Sequence, residues 1–335
     1  MDFSFDDTQQ SLADLARRIF SERATHDRLK ELAAGGQSFD ADLWDALRTT
    51  GLLEVGISGG GFLEQCVLLI EQGRAVAPVP LWTHLLAGAV VGTPDGVLSL
   101  ALDEPGADDP AACATRAERA GGGWVLTGVK SDVPALEEAT GVVVSATTPD
   151  GPGLFLAEPG ALASERHETT AGFPLYEVRF ESTEAEHVGD DVLGLAQRAT
   201  VALCALGVGV AERALELTAA YTSQREQFGR PLGSFQAVQQ RAADSFIDTE
   251  AMRWTMWQAA WRLSEGLEPE HAVRIAKFWT AEGGQRVVSA AQHLHGGMGA
   301  DVDYPLYRYT LWSKWIELAF GGATRQLARI GAALT

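Results

Sequence analysis

Basic side chains and cysteines are both scarce in this chain, and each shortage removes a class of function. Against 45 Asp and Glu it has only 26 Lys and Arg, a formal charge of -19 over 335 residues, so nucleic acid and anionic membrane surfaces are repelled rather than attracted. An anionic ligand must then be gripped by local positive charge. The three cysteines, Cys66, Cys113 and Cys204, stand far apart with no metal-ligand spacing, which fits packing roles in a reducing compartment. The opening residues, Met1-Asp2-Phe3-Ser4-Phe5-Asp6-Asp7, lack the basic-then-apolar order of a secretion signal. Long hydrophobic runs are missing too: the most apolar one, Ala199 to Ala211, is too short to span a bilayer and is flanked by Arg198, Glu212 and Arg213. A cytoplasmic protein is expected, without membrane insertion or a nucleic-acid partner.

What is present changes texture twice along the chain. From Thr8 to about Phe20 apolar residues recur at helical spacing (Leu12, Leu15, Ala16, Ile19), and the pattern returns from Ala41 to Leu47 and from Phe62 to Val76. Pro78 and Pro80 break it, and Pro94-Asp95-Gly96 marks a boundary. Beyond lie short apolar or alternating segments, Val97 to Leu102, Trp124 to Val129, Val142 to Ala146, Leu154 to Ala157 and Tyr176 to Phe180, parted by Gly, Pro and Asp as strands are. Gly121-Gly122-Gly123 reads as a turn among them, because no helix start follows to make it a phosphate cradle. After Asp190-Asp191 the chain reads as helical to its end, with long segments at about Val192 to Gln224, Ser234 to Glu265 and Pro269 to Leu294. Gly266 and Pro269 act as stop and start between the last two, and two shorter helices split at Gly321-Gly322 complete the chain. The expected class is α+β, mainly α: a helical domain at 1–95, a small β-domain at 96–190 and a four-helix bundle at 191–335.

Two runs in the last part carry chemistry. Arg225-Glu226-Gln227-Phe228-Gly229, followed by Phe235-Gln236, offers a planar, permanently charged fork suited to a pyrophosphate. His295-Gly296-Gly297-Met298-Gly299 offers adjacent glycines, which let backbone N–H groups approach phosphate oxygens closely. Together they suggest a dinucleotide. Taken alone, Arg225 would read better as a helix-end cation bonding the last carbonyls; Phe228, Gly229 and Gln236 beside it reverse that preference. His293 and His295 do not make a metal pair, since residues two apart on a helix point in different directions and no third ligand is evident. No metal is expected.

The order of domains resembles the acyl-CoA dehydrogenase family over nearly the whole chain, and the motifs make the resemblance specific. Tyr221 to Gln236 is similar to the family's helix-loop-helix segment, Gly128-Val129-Lys130 after Trp124 to its β-domain signature, and His295 to Gly299, with Tyr304-Pro305-Leu306 and Arg308, to its C-terminal signature. The resemblance implies FAD at a subunit interface, with these motifs reaching the adenosine diphosphate part of the neighbour's flavin. Arg225 would pair with the pyrophosphate, Phe228 would pack near it, Gln236 would hydrogen-bond it, and Gly296 and Gly297 would give backbone room. His293 stands where the family has Gln, at an adenosine contact.

One component is absent. The family's reaction removes an α-proton with a glutamate while hydride leaves the β-carbon for the flavin. In one family arrangement that Glu precedes a Gly near the end of the chain, and here the position is Phe320. In a second it opens the helix leading to the arginine motif, and here the position is about Ala199, followed by Thr200. Glu317 is the nearest carboxylate, though a solvated helix residue is the simpler reading of it. The β-domain departs as well. It keeps Leu102-Asp103-Glu104-Pro105 but has Asp108-Asp109 where a small hydroxyl residue is expected, and Ser131-Asp132-Val133-Pro134 where the family's flavin-contacting Ile-Thr or Ile-Ser would stand.

The short N-terminal domain, Leu102-Asp103-Glu104-Pro105 and the run from His293 to Tyr309 resemble the small subunits of actinobacterial α2β2 acyl-CoA dehydrogenases used in steroid catabolism. The resemblance implies a noncatalytic, site-completing subunit, inactive alone, whose partner is a full-length homologue carrying the catalytic Glu. The implied substrate is a bulky, steroid-CoA thioester, and an electron-transfer acceptor is implied too. Two other readings stand beside it: an independent homomeric dehydrogenase with a displaced base, and a structural pseudoenzyme that stabilises a partner without touching FAD.

Overall fold

The computed structural model describes residues 5–92, 96–107 and 113–333. The boundary residues Pro94 and Asp95, the acidic pair Asp108-Asp109 and the N-terminal Met1 to Ser4 lie outside the described residues. By compactness the chain divides into two units, one made of residues 1–34, 66–77 and 201–335, the other of 35–65 and 78–200.

The second unit contains helices α3 (Ala41–Thr49) and α5 (Leu81–Val91) and a sheet of seven strands. Five helices therefore precede the sheet rather than the three that periodicity marks, the others being α1 (Asp7–Arg23), α2 (His26–Ala34) and α4 (Phe62–Ala75). Pro78 and Pro80 lie in the break between α4 and α5, Pro80 at the N-cap of α5. The strands are β1 (Val97–Ala101), β2 (Arg116–Ala120), β3 (Gly123–Pro134), β4 (Ala139–Thr148), β5 (Gly151–Ala157), β6 (Ala163–His167) and β7 (Leu175–Gly189). They run in the order β1-β4-β2-β3-β7-β5, and β5 pairs back with β4, so five strands close into a ring while β1 and β6 each pair on one side only. Leu126, Val142, Val144, Phe155, Val178 and Phe180 fill its interior. Gly121 and Gly122 form the two-residue turn between β2 and β3 with φ +58° and +91°, a left-handed pair that side-chain-bearing residues adopt at a cost.

The first unit is helical. Its long elements are α6 (Val192–Gln224, counted here from residue 201), α7 (Gln236–Ser264) and α8 (Glu270–His295), followed by α9 (Leu306–Leu318) and α10 (Ala323–Ala332). Helix α6 is apolar enough over an 18-residue window to match a membrane span, but 78% of that window is buried in the protein, as in a core helix. Helices α4 and α6 cross backbone to backbone: a Cβ on Gly209 would lie 2.0 Å from the Ile70 carbonyl oxygen, and one on Gly73 would lie 2.1 Å from that of Leu206. Beside the crossing, Arg74 bonds Glu212 at 2.7 Å and Glu216 at 2.6 Å, and Arg253 bonds Glu212 at 2.9 Å. Close approach thus comes from small residues, and the polar groups flanking it find partners.

Candidate functional site

The arginine run begins where α6 ends. The Arg225 N–H donates to the Tyr221 carbonyl at 2.8 Å as the last turn closes. The chain then folds back in a hairpin, β8 (Glu226–Gln227) against β9 (Arg230–Pro231), with Phe228 and Gly229 as its two-residue tip. Both tip residues have positive φ, +55° and +77°, the signature of a type I′ turn. Glycine takes that conformation freely; phenylalanine does not. At the base of the hairpin the Leu232 N–H donates to the Arg225 carbonyl at 2.8 Å, and the Arg230 guanidinium lies 4.0 Å over the Phe235 ring.

The side chains singled out by sequence are all turned outward. Phe228 is 92% exposed and touches only the edge of Phe235, ring centres 6.2 Å apart. Arg225, Gln236 and His293 are exposed and, among the described residues, their side chains make no hydrogen bond or ion pair. Arg225 therefore does not bond the helix-end carbonyls, the role it would have taken in isolation. His295, by contrast, is buried at 4% exposure, and among the described residues no group of three or more His, Cys, Asp or Glu is placed to hold a metal.

The glycine run follows α8, and its three glycines have different reasons to be glycine. Gly296 caps the helix at φ +61°. Gly299 is packed against the chain itself, since a Cβ there would meet Gln292 Cα and its carbonyl oxygen at 3.0 Å. Gly297 has neither a positive φ nor any atom within 4 Å of its hypothetical Cβ. Among the described residues nothing requires a glycine there.

The two runs meet at one junction. The Tyr221 ring stacks on His295 with centroids 4.4 Å apart and planes 21° from parallel, so the end of α6 and the end of α8 lie side by side. His295 Nδ1 is 2.8 Å from the Ala291 carbonyl oxygen, which can only accept, and so carries the proton. Its Nε2 then accepts from the Tyr304 hydroxyl at 3.2 Å. Burial lowers the His295 pKa below the usual histidine value, against the opposing bond to Ala291. The sequence reading placed Tyr221 and Tyr304 inside motifs without linking them, because their partnership spans 83 residues and has no local signature.

The positions where the family's base would stand hold no acid. Ala199 is fully buried, and the Thr200 hydroxyl is spent on the Ala196 carbonyl at 2.9 Å. Phe320 sits in a left-handed turn after α9 (φ +54°), its carbonyl accepting from Gln326 Nε2 at 3.1 Å. Glu317 is tied to Lys314 on its own helix at 2.5 Å.

In the β-unit the residues of the retained motifs turn inward and pair with each other. Lys130, with no exposed surface, bonds the Glu104 carboxylate at 2.7 Å and the Ser145 hydroxyl at 2.9 Å, while Glu104 also accepts from the Ala114 and Thr115 N–H groups at 2.6 and 2.9 Å. Burial alone would raise the Glu104 pKa; Lys130 and the two N–H groups hold it below the usual carboxylate value. Strand β3 then slips register between Lys130 and Val133, with Asp132 at φ +53° in the irregularity. Val133 is buried, and the buried Pro134 has its carbonyl engaged by the Ser99 hydroxyl at 2.5 Å.

Residues 195–335 match the family model for the acyl-CoA dehydrogenase C-terminal domain. Acyl-CoA dehydrogenase FadE27 of Mycobacterium tuberculosis is 36% identical across all of this chain and 99% of its own, and FadE28 of the same organism is 31% identical over 86% of this chain and 91% of its own. Among solved structures, the Tcur3481-Tcur3483 steroid ACAD variant superposes with a TM-score of 0.92 at 43% identity, covering 98% of both chains. The ChsE4-ChsE5 complex from Mycobacterium tuberculosis gives 0.92 at 36%, covering 100% of this chain and 99% of the other. With relatives this similar along its full length, and with the arginine hairpin, the glycine turn and the closed β-unit in the family's order, the chain belongs to the acyl-CoA dehydrogenase family.

Proposed function

We propose that this chain is a noncatalytic subunit that completes, in trans, the FAD site of a heteromeric acyl-CoA dehydrogenase. The observation that carries the reading is the contrast at Gly297: a glycine that this chain does not need, beside an unpaired Arg225 and a bare Phe228, is explained by a group arriving from outside. These residues suit the adenosine diphosphate half of FAD, the arginine fork taking pyrophosphate oxygens and the open backbone at Gly296 and Gly297 allowing close approach. For the flavin half, two features of the family's sites are missing. Pro134 offers neither hydroxyl nor N–H in the stretch where the family places flavin contacts, and neither Phe320 nor Ala199 can take a proton.

When bound, FAD supplies a hydride acceptor; this chain's part is to hold its charged tail. A full-length homologue carrying the Glu would supply the base, the flavin-ring pocket and the α2β2 arrangement. The substrate class that fits is a bulky CoA thioester, of the steroid side-chain type, desaturated at Cα–Cβ and re-oxidised by a separate electron-transfer acceptor. Similarity to a steroid ACAD and to a two-component complex supports both points. We also retain domain boundaries near residues 95 and 190, and a cytoplasmic location.

Co-purification with a full-length homologue tests the proposal. Yellow colour and activity are expected only in the complex, and a stable, active homomer of this chain would refute it. Arg225→Ala separates the remaining readings. Loss of FAD from an intact complex supports binding in trans, whereas unchanged flavin content indicates a purely structural subunit.

A further inference from the structure

The hairpin and the glycine turn are separate in sequence, and both must be presented to one ligand for the arm to work. What joins them is the buried contact of His295 with Tyr221 and Tyr304. We infer that His295 is a positioning residue for cofactor binding: as a neutral imidazole stacked under Tyr221, donating to the Ala291 carbonyl and accepting from Tyr304, it locks the arginine hairpin and the glycine turn into one arm, and protonation of His295 releases that lock. The inference rests on the trans-binding role proposed above and names the residue that makes the role possible.

The geometry favours the neutral imidazole. Nδ1 already donates, so a second proton would go to Nε2, Tyr304 would have to turn its hydroxyl round to accept, and the charge would lie in a ring that is only 4% exposed. The groups around it give the cation little help. From α6 come the Tyr221 ring and, farther off and acting on Tyr304, Arg213; from the turn after the glycines comes Tyr304; from α8 itself comes the Ala291 carbonyl. The one nearby carboxylate after the glycine run that forms a contact to another element, Asp303, is engaged by Lys30 on α2. Since Tyr221 is one turn before Arg225, and His295 directly precedes Gly296, motion at the clip is transmitted to both ligand-facing segments through a few bonds.

The position matters beyond local packing. His295 is the last residue of α8, and its ring spends one nitrogen on the Ala291 carbonyl one turn back. Its loss would therefore loosen the helix end from which the glycine turn departs as well as the stack on Tyr221.

The test uses the complex of this chain with a full-length homologue, following bound FAD by flavin fluorescence from neutral pH into the acid range, where a histidine lowered by burial titrates. The wild-type complex is expected to lose FAD affinity at least tenfold on acidification. Tyr304→Phe removes the oxygen to which a protonated ring would donate, a stronger bond than the one the neutral ring accepts, so the midpoint should move to lower pH. His295→Gln, uncharged throughout but unable to stack on Tyr221, should weaken FAD binding at neutral pH and show no acid step. The His295 ring resonance in the labelled complex should titrate at the same midpoint as FAD release, a readout independent of turnover.

Retention of FAD equally by the wild type across the range, or a midpoint that Tyr304→Phe leaves in place, overturns the inference. Arg225→Ala in parallel separates the two levels. If it releases FAD while Tyr304→Phe changes nothing, only the clip is wrong. If it leaves FAD bound, the trans-binding role itself fails, and the clip with it. Should His295→Gln misfold, the direction of the Tyr304→Phe shift still decides the matter.

Discussion

Two sets of motif residues behave in opposite ways. In the β-unit, Lys130 and Glu104 are hidden from solvent and satisfied by each other, by Ser145 and by two backbone N–H groups. In the helical unit, Arg225, Gln236 and Phe228 are exposed, and among the described residues their side chains form no hydrogen bond or ion pair, Phe228 meeting the edge of Phe235. The first set is accounted for inside the molecule; the second is not. Family motifs can persist for either reason, and burial separates them: a buried pair is kept because breaking it is costly, whereas an exposed, unpaired cation flanked by a needless glycine points to an outside partner.

The largest effect should come from breaking the inward pair. Lys130→Met leaves Glu104 buried without its counter-ion, and about 3–5 kcal/mol of stability should be lost, read as a lowered denaturation midpoint of the chain. A loss below about 1 kcal/mol would mean that Lys130 is as dispensable to the fold as Arg225, and the contrast between the regions would collapse.

Acid supplies the next test, again on the inward side. His84 is buried at 3% exposure, edge-on to Trp44, and accepts the Leu98 N–H at Nδ1; burial pushes its pKa down to about 4, against a bond to the Leu53 backbone. The folded form therefore binds fewer protons than the unfolded form between the ordinary histidine value and about pH 4. Its stabilising contribution is complete above about pH 6.5, falls as pH drops, and is gone below about pH 4, a change on the order of 3 kcal/mol. Denaturant titrations at several pH values should show this decline, and His84→Gln should flatten the histidine part of it.

On the outward side the effect moves from the fold to the ligand. Arg225→Ala should leave the stability of the free chain within about 0.5 kcal/mol, yet weaken FAD binding by the complex by about 1.5–3 kcal/mol, the contribution of a hydrogen bond to a charged group. Isothermal titration of apo-complex with FAD measures the second quantity. A variant that destabilises the chain and spares FAD would invert the comparison.

The smallest effect sharpens it most. Gly297→Ala has open space and an ordinary φ, so the free chain should melt within about 0.5 kcal/mol of wild type. Gly209→Ala, whose Cβ would overlap the Ile70 carbonyl, should cost about 1–3 kcal/mol or more. If Gly297→Ala nevertheless lowers FAD affinity in the complex, the reason for that glycine lies outside the chain.

Much of the fold was legible because its elements repeat a period. The expected long helices correspond to α6, α7 and α8 within one or two residues, and the short pair parted at Gly321-Gly322 to α9 and α10. The elements that escaped notice lack a period to read. Strand β6 is exposed along its whole length, β2 buries only Ala117, and the second half of β7 alternates among polar residues at the surface. The β8–β9 hairpin was hidden for another reason: Phe228 at its tip is a residue that turn chemistry does not favour. Among site residues, Arg225 and the glycines announced themselves by type. The His295 clip and the Lys130–Glu104 pair did not, since their partners stand far away along the chain.

The sequence by itself determined which chemistry is present and which is missing: a cationic fork, a glycine run, and no carboxylate at Phe320 or Ala199. These are properties of residue type and spacing, and no folding can add a base. Only the tertiary structure decided which way each residue faces. Burial depends on contacts between residues distant in sequence, so neither Lys130 nor Arg225, both cations inside family motifs, revealed alone that one would be enclosed with Glu104 and the other left reaching outward.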